Sequence, residues 1–101
     1  MAQRILELHP AAVDEAAEAH DWYFERSPRA AAAFMAELDT AIDQIALFPE
    51  RWAVGGHGTR RYPLKRFPYL VIYHLRSDKI RIVAVAHARR RPGYWKKRTR
   101  E

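Results

Sequence analysis

The chain has 101 residues, 49% hydrophobic and 12% aromatic, and contains no cysteine. That is enough apolar material for one core in a single domain spanning residues 1–101, and it excludes a disulfide framework, a thiol nucleophile and zinc–cysteine chemistry. The net charge of +6 conceals a division: residues 1–50 hold three basic against ten acidic side chains, and residues 51–101 hold fifteen against two. One half is therefore −7 and the other +13, a segregation that suits a polyanion or an acidic protein partner. MAQRILELHP has no basic stretch followed by an apolar run, and no window of eighteen apolar residues exists. The expectation is a cytoplasmic protein with no membrane span.

Arg4 to Leu8 reads as a short strand. Pro10 suits the first position of a helix, where its missing N–H is no loss, and that helix runs to about Arg26. Val13, Ala16, Ala17, His20 and Tyr23 recur at helical spacing, with Asp14, Glu15 and Glu18 early enough to favour the helix dipole. Ser27-Pro28 repeats the start signal. Phe34, Leu38, Ala41, Ile42, Ile45 and Phe48 form the next apolar stripe, which Pro49 stops. Two helices joined by so short a turn form a hairpin whose apolar faces need a sheet.

Gly55, Gly56 and Gly58 mark a loop, after which the pattern becomes strand-like. Thr59 to Leu64 is expected as an edge strand, because Pro63 and Pro68 restrict ladder bonds. Tyr69–Leu75 and Lys79–His87, rich in Val, Ile and Tyr and separated by Arg76-Ser77-Asp78, predict an antiparallel hairpin. Alternation sends Ile80, Ile82, Ala84 and Ala86 toward the helices. A short loop pairs position 74 with 81 and 70 with 85, leaving Leu70, Ile72 and His74 on the outward face with Arg81. The basic tail, residues 88–101, surrounds Pro92-Gly93-Tyr94-Trp95 and is either a mobile arm or a segment pinned by its two aromatics. The fold class is α+β: an N-terminal strand and a two-helix hairpin packed on a small, mainly antiparallel sheet.

This layout resembles the RelE/ParE superfamily of type II toxins, the plasmid-stabilisation toxins. The likeness is carried by HPAAVDEAAEAHDWYFERSP, AAAFMAELDTAIDQIALFP, RRYPLKRFPYLVIY and AVAHARRRPGYW, the last two being the more distinctive. The resemblance implies a cognate antitoxin encoded beside the toxin, which wraps it in a hetero-oligomer and represses their operon. It also implies a target that differs between branches. RelE-like members cut mRNA on the ribosome without metal, using basic residues on the sheet with an Arg and a Tyr near the last strand; ParE-like members inhibit DNA gyrase. Arg90 falls where the RelE-like arginine lies and Tyr94 near the tyrosine. Leu70, however, stands where a further arginine is expected, and His87-x-Arg89 looks closer to the ParE-like ending.

Metal-free RNA cleavage needs a base at the ribose hydroxyl, a cation for the phosphate charge and an acid for the leaving oxygen. His87, Arg90 and Tyr94 match those three needs; the plainer alternative is that His87 ends a strand and Tyr94 packs with Trp95. Arg60, Arg61, Lys65 and Arg66 form a basic run that, with Arg81 and Arg89, is the candidate nucleic-acid surface, although Lys65 and Arg66 also suit the solvated defence of a sheet edge. In an extended run Arg61 and Lys65 point to one side, Arg60 and Arg66 to the other. Trp22, Tyr23 and Trp52 read as core or antitoxin contacts. The five histidines show no HExxH spacing, so neither a metal nor another cofactor is expected. Three functions remain open: a ribosome-dependent endoribonuclease, toward which arginine concentrated beside a titratable histidine inclines the reading; an inhibitor of gyrase; and a degenerate member that only binds its antitoxin.

Overall fold

A computed structural model describes residues 4–101. It comprises β1 (Ile5–Leu8), α1 (Pro10–Arg26), α2 (Pro28–Leu47), a short 3-10 turn at Gly56–Gly58, β2 (Thr59–Pro63), β3 (Tyr69–Leu75), β4 (Lys79–His87) and a final 3-10 turn at Lys96–Arg100. The four strands form one sheet in the order β1-β4-β3-β2. β1 runs parallel to β4, and the other pairs are antiparallel, so the fold is α+β with a mixed sheet.

Local chemistry sets the helix boundaries. His9 caps α1 through Nδ1, which accepts the Ala11 N–H at 3.0 Å. Ser27 alone separates the helices: its N–H closes α1 on the Tyr23 carbonyl at 2.7 Å, and its Oγ opens α2 by accepting from Ala30 N at 3.1 Å. The first turn of α1 contains no acid. Asp14, Glu15 and Glu18 thus lie beyond the turn where the dipole is strongest, contrary to expectation.

The core between helices and sheet is built from Ala12, Ala19, Phe34, Leu38, Ala41 and Ile45 against Val71, Tyr73, Ile80, Ile82 and Val85. The α2 stripe faces inward as its spacing predicts, apart from Phe48, which caps the helix and is exposed. On α1 the expected stripe divides. Ala16 and Tyr23 pack inward in line with Ala12 and Ala19, while Val13 and Ala17 point outward and His20 stacks on the exposed Phe24 at 5.8 Å. Alanine was the better guide because a small side chain lets a helix lie close on a sheet.

The β3–β4 register also departs from regular alternation. His74 pairs with Arg81 as expected, but Leu70 pairs with Ala86 and Ile72 with Ala84, after an irregularity between Ile72 and Tyr73. One extra residue, Val83, is inserted in β4, and the insertion reverses the parity of the residues beyond it. Val85 therefore joins the helix-side core, and Ala84 and Ala86 turn outward with Leu70 and Ile72. There Trp95, only 8% exposed, covers them. The tail is pinned by its aromatics.

Candidate functional site

β1 ends at Leu8, opposite Ile82, so the second half of β4, paired with β3 on one side, has no strand on the other. The His9 N–H takes the Ile82 carbonyl at 2.8 Å. Beyond that point side chains replace a strand: Arg98 Nη1 donates to the Val83 carbonyl at 3.0 Å, and Glu15 Oε1 accepts the Val85 N–H at 3.0 Å. The two side chains also pair with each other at 3.0 Å, and the Tyr94 hydroxyl donates to Glu15 Oε2 at 2.6 Å. Glu15 comes from α1, and Tyr94 and Arg98 from the tail. One carboxylate thus satisfies a strand edge and fastens the tail across it. Burial first, and the Glu15 hydrogen bond and charge next, push the Tyr94 phenol well above the ordinary tyrosine range.

The three residues proposed from sequence for proton and phosphate chemistry meet at the end of this edge. His87 lies edge-on to Tyr69 at 5.1 Å between centroids, and its Nδ1 accepts the Arg89 N–H at 3.1 Å. Arg90 lays its guanidinium on the Tyr94 ring at 4.0 Å. The turn is closed by a hydrogen bond from Arg90 N to the His87 carbonyl at 2.9 Å. His87 and Arg90 separate two depressions. One, about 420 Å³, opens between α1 and the strands and is walled by Trp22, Tyr23 and Tyr69. The other, about 130 Å³, lies on the outer sheet face and is bordered by Arg61, Arg91 and Tyr94.

The remaining basic candidates separate by face and by occupation. Arg61 shares the outer side of β2 with its partner Ile72, near the rim. Arg60 turns to the helix side, where Nη1 donates to the carbonyls of Glu50 and Trp52 at 3.0 and 2.8 Å. Lys65 is exposed and Arg66 Nε pairs with Glu37 at 3.3 Å. Arg81 lies between Glu7, 3.8 Å away, and the Glu101 carbonyl. Arg89, like Arg91, is exposed with no ion pair among the described residues. Arg61, Arg89, Arg90 and Arg91 are consequently gathered at one end of the sheet, while Arg60 and Arg81 are committed to internal contacts.

Two acids that hold this geometry are not singled out by sequence reasoning. Glu15 lies three residues after Ala12 and four before Ala19, and Glu37 three after Phe34 and four before Ala41. A carboxylate set within a buried helical stripe was the available signal. Glu37 accepts the backbone N–H groups of Lys65 and Arg66. Burial pushes its pKa up, but those hydrogen bonds and the Arg66 charge prevail and hold it below the ordinary glutamate value.

Among the described residues no three His, Asp or Glu side chains gather as a metal site, and no helix is long and apolar enough to cross a membrane. The sequence matches none of the curated proteins. A solved chain described as the chromosomal ParDE TA system from P. aeruginosa shares the fold at TM-score 0.75, with 16% identity over 84% of this chain and 96% of that one. The family model described as the ParE toxin of the type II toxin-antitoxin system, parDE, matches residues 6–92, and with both helices, strands β2 to β4 and the His87–Arg90 rim all inside that span, the chain belongs to the ParE toxin family.

Proposed function

We propose that this chain is the toxin of its type II pair by virtue of a contact surface, the rim of His87, Arg89, Arg90 and Arg91 with the pinned tail, and that its target is DNA gyrase. The observation that carries this reading is the engagement of the Tyr94 hydroxyl by Glu15, at 2.6 Å and in a partly buried setting. A general acid must give its proton to the reacting oxygen, and a phenol raised far above neutrality and already bonded to a carboxylate is poorly placed to do so. What the rim offers is ring surface and guanidinium charge, the usual ingredients of a protein-contact hot spot. The cognate antitoxin, acidic by this reading, neutralises the rim and the basic sheet face in a toxin–antitoxin hetero-oligomer.

A second reading, ribosome-dependent mRNA cleavage by His87, Arg90 and Tyr94, is favoured by one observation. Arg61, Arg90 and Arg91 border a single outer depression of a size to receive a phosphate group. A short pulse of expression separates the readings. Gyrase cleavage complexes on DNA with intact messenger support the first. New messenger 5′ ends at ribosome-occupied codons, without DNA damage, overturn it in favour of the second, and growth unaffected by expression overturns both in favour of a member that only binds its antitoxin.

A further inference from the structure

The larger depression has a chemistry of its own. Its helix wall is acidic: α1 contributes Glu15 and Glu18 to the lining, on a chain whose net charge is +6. Glu15 is balanced by Arg98, but Glu18 is exposed and makes no ion pair among the described residues. The other walls are aromatic. Trp22 is 51% exposed, and Tyr23 and Tyr69 stand edge-to-face at 6.5 Å with hydroxyls that have no hydrogen-bond partner among the described residues. Burial first, then Tyr23 and Glu18, raise the Tyr69 phenol, so the Glu18 charge acts on the same rings. Arg90 lines the far side, but its guanidinium is laid on Tyr94. The chain already displays the mode of binding once: Arg26 rests on the Trp22 ring at 3.6 Å.

From this geometry we infer that the depression between α1 and the ends of β3 and β4 is a socket for an arginine side chain of the antitoxin. A guanidinium is planar, stacks on aromatic faces, and presents N–H donors to a carboxylate and to phenolic oxygens together, which is the set Glu18, Trp22, Tyr23 and Tyr69 provide. A volume of about 420 Å³ accommodates it. The inference rests on the toxin–antitoxin reading, because the antitoxin is the partner that membership of the family supplies. It adds that the antitoxin, acidic over the basic sheet face, must carry a cation where it passes α1. This alternation of sign fixes the direction in which it lies and disfavours antitoxins of other pairs.

The free socket is tested with N-acetyl-arginine methylamide and its neutral isostere, the citrulline derivative, titrated into the full chain and followed by NMR. The arginine compound is expected to shift the Trp22 indole and the Tyr23 and Tyr69 ring signals, with at least fivefold weaker binding in Glu18→Gln. Equal shifts from citrulline, or shifts confined to the sheet face, overturn the socket. In the complex, Glu18→Arg is expected to weaken antitoxin binding at least tenfold, and replacing one antitoxin arginine by glutamate to restore it. An unchanged affinity, or no restoring position among the antitoxin arginines, overturns the assignment of the occupant. Failure of the unsubstituted chain to bind its antitoxin is a different result and removes the toxin reading itself.

Discussion

The two halves of β4 solve the same problem by different means. On the side away from β3, Lys79–Ile82 is bordered by β1 and the following His9, whose backbone supplies the ladder bonds; Val83–Val85 is bordered by Arg98 and Glu15, whose side chains imitate a strand for one carbonyl and one N–H. The first solution is insensitive to side-chain identity, and it lies in the part of the sheet farthest from the rim. The second depends on single residues and delivers Tyr94, Arg90 and Trp95 to their positions. A fold thereby keeps a common scaffold while the end of one strand remains adjustable, the division expected where loops and tails carry function on a rigid sheet.

That contrast predicts different failures on substitution. Ile82→Ala, in the strand-bordered half and fully buried, should cost about 3 kcal/mol by creating a cavity. It should lower the urea midpoint of the whole domain without selective loss of the tail. Glu15→Ala should cost about 2 kcal/mol, a figure reduced from that of a fully buried pair because both partners retain some solvent contact. Here trypsin cleavage after Lys96, Lys97 and Arg98 should accelerate and Trp95 emission shift to the red before global unfolding. If the tail stays protected in Glu15→Ala, the side-chain border is not what holds it.

Tyr94→Phe removes one hydroxyl and retains the ring beneath Arg90, so a loss of about 1 kcal/mol is expected. Its functional effect is more telling: toxicity that survives fits a contact surface, whereas abolished toxicity with antitoxin binding retained points to proton transfer.

The smallest expected effect is a slope with pH. His74, 7% exposed, is depressed by burial first and by Arg76 and Arg81 next, and its Nε2 has no partner among the described residues. The unfolded chain takes up its proton near the ordinary imidazole value of about 6.5, while the folded chain resists. Its contribution to stability is therefore complete above that value and is lost as pH falls from there through the lower folded pKa. Urea midpoints at pH 7.5 and 5.5 should differ less in His74→Phe than in the unsubstituted chain. Equal differences would show that His74 does not cause the slope. Glu37 adds its own loss at lower pH, below the ordinary glutamate value, which Glu37→Gln should remove.

Much of this molecule is dictated by the sequence alone. Pro10, Ser27-Pro28 and Pro49 mark the helices because proline and a capping hydroxyl act through local backbone geometry. The β3–β4 hairpin appears at its observed limits because β-branched density and turn chemistry are likewise local. The opposition of an acidic hairpin and a basic sheet is also a matter of composition. The faces and the site were decided by tertiary structure. A single inserted residue at Val83 reverses parity, and no alternation rule can foresee it, because a bulge answers to the twist and packing of both strands. The alanine stripe of α1 outcompetes the larger Val13 for the core through close approach to the sheet, a property of the pair and not of the helix. Glu15 meets Tyr94 across 79 residues and Arg98 across 83. Only the folded chain brings one carboxylate to an unfinished strand edge and a basic tail at once, because long-range hydrogen bonds leave no periodicity along the sequence.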